Sequence, residues 1–247
     1  MTSDETLGAE VAVGSSTREG VYLRLPKTAS TTLESVLDPH PRVLINRRDG
    51  FLPRKGLDNH WLEVGLARLW RQALGDDRWR SAFRFAFVRN PYDRMVSCWK
   101  FVLRRLERGE LGNSLGPDAA DRYRRHGGAL PFSEFVELLD TGEIVGGALW
   151  HATPQARHLL DAEGRLDVDL VGRFERLQED FARVARTLDL PAAALPHLNR
   201  SQRRAYAEYY TPELRRIVAR RYAEDLERFE YRFDADDASR RVGDGHG

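Results

Sequence analysis

The chain contains one cysteine, Cys98, so no disulfide framework can hold it together and a reducing compartment suits it. Its seven histidines combine with Cys98 in no metal-ligand spacing, which argues against a zinc module. No stretch approaches the ~20 apolar residues that a spanning helix needs. The opening MTSDETLGAEVAVGSSTREG carries acids and no apolar core, so the sequence predicts neither signal peptide nor membrane anchor, and a cytoplasmic setting. Charge of one sign is also missing: 39 Lys+Arg against 38 Asp+Glu leave +1, which points to no nucleic-acid partner and requires any basic site to be local. No GxGxxG follows a strand, which disfavours a dinucleotide enzyme. No GxxxxGK[ST] is present, nor a carboxylate after an apolar strand that would hold Mg²⁺, which weighs against a small-molecule kinase.

What is present is globular: 247 residues, 41% hydrophobic and 31% charged. Residues 20–233 read as one domain, with 1–19 as a disordered leader and 234–247 as a polar, disordered tail. Strand composition recurs at Val21 to Leu25, Arg42 to Asn46, Phe83 to Val88 and Val168 to Phe174. Helical patterns lie between them: Thr31 to Leu37, residues 61–74 stopped by Gly75, Tyr92 to Leu106, and Leu177 to Leu188. A last helix starts at Thr211-Pro212, with Leu214, Ile217, Val218, Leu226 and Phe229 on its buried face. Strands alternating with helices predict an α/β fold: a three-layer, mainly parallel sheet flanked by helices. Residues 109–131, rich in Gly and Pro, read as a long loop of the kind that forms substrate lids.

Two segments carry chemistry. In Pro26-Lys27-Thr28-Ala29-Ser30-Thr31-Thr32 a strand runs into a tight loop and a helix begins at once. Such a junction aims backbone N–H groups and a helix dipole at one point, which makes an anion site. Lys27 adds a full positive charge, and Thr28, Ser30, Thr31 and Thr32 add hydroxyl donors. An ordinary helix start capped by Ser or Thr would look similar. The second segment runs from Phe85 to Ser97, FAFVRNPYDRMVS. Arg89 ends a strand, where parallel sheets place ligands, and Ser97 lies about two turns along the next helix. Arg offers a fork for a phosphate and Ser a further donor. The alternative is a plain pair of Arg89 with Asp93 at a strand–helix corner.

Together the two segments resemble the 5′-phosphosulfate and 3′-phosphate motifs of sulfotransferases that use 3′-phosphoadenosine-5′-phosphosulfate (PAPS). The likeness is to the carbohydrate branch that includes heparan sulfate 2-O-sulfotransferase. Trp150, Pro154-Gln155, the turn VGRFERL at 171–177 and LPHLNRS at 195–201 are similar as well, so the resemblance covers residues 20–232. It implies a P-loop-like sulfotransferase fold that moves a sulfuryl group from PAPS to an acceptor hydroxyl, leaving adenosine 3′,5′-bisphosphate (PAP), with no metal. It also implies that Lys27 meets the bridging and 5′ oxygens, that the amides of Thr28, Ala29, Ser30, Thr31 and Thr32 hold the 5′-phosphate, and that Arg89 and Ser97 hold the 3′-phosphate. Asn199, Arg200, Ser201 and Arg203 belong to a basic stretch that would close over the nucleotide, or else form a solvated turn. The membrane anchor and disulfides of eukaryotic relatives are missing.

Sulfuryl transfer calls for in-line attack, a cation at the leaving oxygen and a base for the acceptor hydroxyl. A catalytic histidine of these enzymes lies in the interval before the strand bearing Arg89, which makes His60 the expected base and His151 the reserve. A non-catalytic nucleotide-binding module of the same fold is the other reading. Residues 100–126 hold seven basic and four acidic side chains, an excess that would suit a sugar or acidic glycan as acceptor.

Overall fold

Successive side chains of a strand point to opposite faces of its sheet, so a strand that is apolar on both faces must be covered twice. The computed structural model describes residues 18–45, 65–111, 114–191, 194–196 and 204–234. Strands β1 (Gly20–Leu23), β2 (Val43–Ile45), β3 (Phe83–Val88) and β4 (Leu170–Arg173) form a parallel sheet in the order β2-β1-β3-β4. The helices in chain order are α1 (Ser30–Leu37), α2 (Leu66–Leu74), α3 (Asp76–Ser81), α4 (Pro91–Glu107) and α5 (Pro117–Arg125). They continue with α6 (Phe132–Asp140), α7 (Gly146–Ala152), α8 (Leu177–Thr187), α9 (Pro212–Arg221) and α10 (Ala223–Arg228).

Tyr22, Phe83, Phe85 and Phe87 share one sheet face with Leu33 and Leu37 of α1 and Phe181 and Val184 of α8. Val21, Leu23, Ala86 and Val88 share the other with Trp70 of α2, Trp79 of α3, Phe229 and Tyr231. This is the three-layer α/β arrangement that the sequence predicts. A second, all-helical core forms where α4 packs on α6 and α9, through Met95, Val102, Phe135, Leu139, Leu214 and Val218. Among the described residues no helix is long and apolar enough to cross a membrane.

Local rules explain the element ends. Asn90 accepts a hydrogen bond from the Tyr92 amide at 3.1 Å, and Pro91 opens α4 at no cost in N–H groups. Thr211 caps α9 in the same way, accepting from the Leu214 amide. The final helix breaks into α9 and α10 at Tyr222, whose buried hydroxyl donates to the Ala152 carbonyl and ties that turn down.

The expected lid over 109–131 is replaced by structure. Gly116 and Pro117 start α5, and the preceding residues pair with the chain ahead of α7, Leu115 facing Ile144 in an antiparallel bridge. Gly116 and Pro117 thus open a helix, and Gly127 and Gly128 follow its end. Of the helix expected over 61–74, the described part is α2 from Leu66, with α3 following as a separate turn after Gly75.

Candidate functional site

Strand β1 connects outward to β2 on one side, while the chain later returns to place β3 on the other. Between β1 and β3 the sheet therefore has a switch point, and in open parallel sheets ligands bind there, beyond the carboxyl ends of the strands. Both motif segments emerge at that place. Leu23 pairs with Ala86, the loop from Arg24 to Ala29 leaves β1, and Arg89 leaves β3 beside it.

The loop has an unusual backbone. Lys27 (φ 68°) and Ala29 (φ 61°) both occupy the left-handed region, which costs a non-glycine residue roughly 1–2 kcal/mol. Such strain persists where the surroundings impose it, and it clusters at ligand sites. Here the surroundings are named: Arg94 Nε donates to the Pro26 carbonyl at 3.2 Å, and Arg89 Nη1 donates to the Lys27 carbonyl at 3.2 Å. Ala29 takes the cap position of α1 and supplies no side-chain oxygen, so no side chain of that position caps the first amides of the helix. A Ser- or Thr-capped helix start is thereby excluded. The Thr28 hydroxyl is committed inward, donating to the Leu25 carbonyl at 3.0 Å, so its amide rather than its hydroxyl hydrogen is left to face an anion.

The Arg89 guanidinium is fixed on several sides. Its Nε and Nη2 donate to Asp93 Oδ2 at 2.8 and 2.5 Å, and its carbon lies 4.0 Å from the centre of the Phe174 ring. Three of its five N–H hydrogens are used among the described residues, which leaves two. Its backbone is held by Gln155, which accepts from the Arg89 amide and donates to the Arg89 carbonyl, both at 2.9 Å. Gln155 and Ala156 in turn donate their amides to Asp225, whose carboxyl is pushed up chiefly by burial. The pairing of Arg89 with Asp93 is thus real, and one hydrogen on each of Nη1 and Nη2 lies outside the bonds to Asp93 and to the Lys27 carbonyl. Ser97 lies half-buried one turn beyond Asp93 on α4.

Lys27 is half-buried, with Nζ 4.1 Å from the centre of the Phe101 ring. Burial, and then the charges of Arg89, Arg104 and Arg24, bring its pKa down to about 8. His151, the reserve base, packs its ring 4.3 Å from Phe101 and has Nδ1 buried without a partner among the described residues. Burial and the nearby Lys27 and Arg94 lower its pKa to about 3, which makes it a weak proton acceptor.

The structure thus brings Lys27, Thr28, Ala29, Ser30, Thr31, Thr32, Arg89 and Ser97 to one end of the sheet. His60, Asn199, Arg200, Ser201 and Arg203 lie outside the described residues. Pattern reading misses Arg94 and Phe101, although both fall on the α4 face that carries Ser97, at helical spacings of three and four residues. It also misses Asp225, which no spacing links to Arg89. Among the described residues no group of three His, Cys, Asp or Glu side chains is placed to hold a metal ion.

No curated protein matches this chain. A crystal structure of a sulfotransferase from Alicyclobacillus acidocaldarius is similar to it, with a TM-score of 0.48 and 16% identity over 86% of this chain and 94% of that one. The model of the sulfotransferase family matches residues 15–232, a span that takes in the sheet, the phosphate loop and the Arg89 corner. The chain belongs to the sulfotransferase family.

Proposed function

We propose that this enzyme takes its sulfuryl group from PAPS and delivers it to a hydroxyl of a carbohydrate acceptor. The observation that carries this reading is the convergence of two anion-binding elements at one switch point. The helix start and Lys27 suit a 5′-phosphosulfate, and the Arg89 fork with Ser97 suits a separate phosphate. A donor with phosphates at both the 5′ and 3′ positions matches that pair, whereas ATP does not.

In this account the amides of Thr28 to Thr32 hold the 5′-phosphate, and Lys27 faces the bridging oxygen. Attack by the acceptor oxygen forms the new O–S bond while the bond from sulfur to the phosphate oxygen breaks. Charge then grows on the departing oxygen, where a fixed cation and N–H donors lower the barrier. The acceptor's proton leaves to a base, for which His60 is the proposed residue; the low basicity of His151 favours that choice. Asn199, Arg200, Ser201 and Arg203 are proposed to close over the nucleotide. The acceptor is proposed to be a sugar or acidic glycan. Arg105, Arg122 and Arg124 pair with Glu110, Asp118 and Asp121 of the same segment, residues 100–126, so these pairs leave its net basic excess as the sequence counts it.

Replacing Lys27 by Met removes the charge and keeps the side-chain length. Turnover measured with labelled PAPS is expected to fall on the order of 100-fold. Full activity in Lys27→Met would mean that the loop is a structural helix start.

A further inference from the structure

The Phe101 ring makes no part of the donor site described so far, yet cationic and polar groups gather on it. Lys27 Nζ lies 4.1 Å from its centre, the Arg105 guanidinium carbon 5.6 Å, and the His151 ring 4.3 Å. Phe101 follows Ser97 by one turn of α4, so a single helix face carries both a residue of the 3′-phosphate element and the ring that meets the lysine. His151 stands on α7, its carbonyl accepting from Arg94 Nη2 at 3.2 Å, and packs against the ring.

We propose that Phe101 is a positioning residue for sulfuryl transfer: its ring is the berth that holds the Lys27 ammonium beside the phosphate loop before the donor arrives. The inference rests on the reading of Lys27 as the leaving-group cation. An ammonium withdrawn from water and surrounded by cations needs a compensating contact, and the electron-rich face of an aromatic ring supplies one. The groups around Lys27 are Arg24 at the end of β1, Arg89 at the end of β3, Arg94, Cys98, Arg104 and Arg105 on α4, and His151 on α7. Of these, the guanidinium groups act against the charge of the ammonium. Cys98, whose thiol is pushed up to about 11 by burial, and His151, neutral at physiological pH, add no charge, so the ring is the contact that favours the ammonium.

The berth has a signature that a purely structural phenylalanine lacks. PAP binding to the full chain should weaken above about pH 8, as free Lys27 loses its proton. In Phe101→Leu, without the ring, that alkaline limb should move down by about half a pH unit, roughly threefold in affinity at alkaline pH, while Phe101→Tyr keeps the wild-type profile. Turnover should fall about tenfold in the leucine variant and little in the tyrosine variant. If Phe101→Leu fails to fold, wild-type protein carrying ¹³C-dimethylated lysines gives the same answer. The Lys27 methyl resonance should be displaced upfield by the ring in the free protein and should move when PAP is added. An unmoved alkaline limb in a folded Phe101→Leu, or an undisplaced Lys27 resonance, overturns the berth. Absence of PAP binding to the wild-type protein overturns the donor assignment instead, so the two failures are distinguishable.

Discussion

Burial and the Arg89, Arg104 and Arg24 guanidinium groups press on the Lys27 ammonium and lower its pKa from 10.5 to about 8. A cation with a depressed pKa destabilises the fold while it stays charged. Between pH 8 and 10.5 the unfolded chain keeps this proton and the folded chain loses it, so stability rises with pH across that window. Lys27 is only half-buried, and solvent screening reduces the effect at pH 7 to about 1 kcal/mol. Lys27→Met is therefore expected to raise the melting temperature of the nucleotide-free protein by about 2–4 °C while it cripples turnover. Scanning fluorimetry at pH 7 checks the first half, and an unchanged or lower melting temperature would contradict it. On the role proposed for Lys27, function and stability pull apart at this residue, as they do where an active site holds charge out of water.

At the scale of elements, α4 organises the site. Asp93, Ser97, Phe101 and Arg104 succeed one another at three- and four-residue spacings from a start fixed by Asn90 and Pro91. The Arg89–Asp93 pair at its first turn is nearly inaccessible, with side chains 8% and 4% exposed. Removing one partner of such a pair leaves a buried charge uncompensated and costs roughly 3–5 kcal/mol. Asp93→Ala should lower the urea midpoint accordingly, and PAP should restore part of the loss by bringing a phosphate to Arg89. A midpoint indifferent to PAP would separate Arg89 from the nucleotide. The ends of α4 and the four strands could be read in the sequence because composition and punctuation coincide there, as at Asn90-Pro91. Helices α6 and α7 were not: in α6 Phe132, Phe135, Val136 and Leu139 keep the helical spacing, but over nine residues directly behind a Gly- and Pro-rich stretch, and α7 is seven residues that open on two glycines. The placing of Lys27 after β1, Arg89 after β3 and Ser97 on α4 was legible because each belongs to a compact motif. The clamp of Gln155 on the Arg89 backbone spans 66 residues and that of Asp225 on Gln155 another 70, contacts that only the folded topology creates.

The whole molecule carries a pH dependence set by two buried imidazoles. His158 is fully buried, and neither ring nitrogen has a partner among the described residues. Burial, then Arg94 and Arg157, lower its pKa to about 3, and His151 is lowered to a similar value. Both stay neutral in the fold and bind protons in the unfolded chain, so stability is lost as pH falls from 6.5 towards 3. Each can contribute at most ~1.4 kcal/mol per pH unit within that window. His158→Leu should remove about one proton from the slope of unfolding free energy against pH, measured in urea between pH 7 and 4.5. An unaltered slope would place the acid sensitivity elsewhere. At the same scale, the parallel sheet sets its switch point where the two motif segments meet, and the proposed function rests on their joint occupancy by one nucleotide. The most direct measurement compares the affinities of PAP and adenosine 5′-monophosphate by calorimetry on the wild-type chain and on Arg89→Ala. The account predicts that PAP binds at least tenfold more tightly to the wild type, since a charged hydrogen-bonded contact is worth about 1.5–3 kcal/mol, and that the preference collapses in Arg89→Ala. Equal affinity of the two nucleotides for the wild-type protein would contradict it.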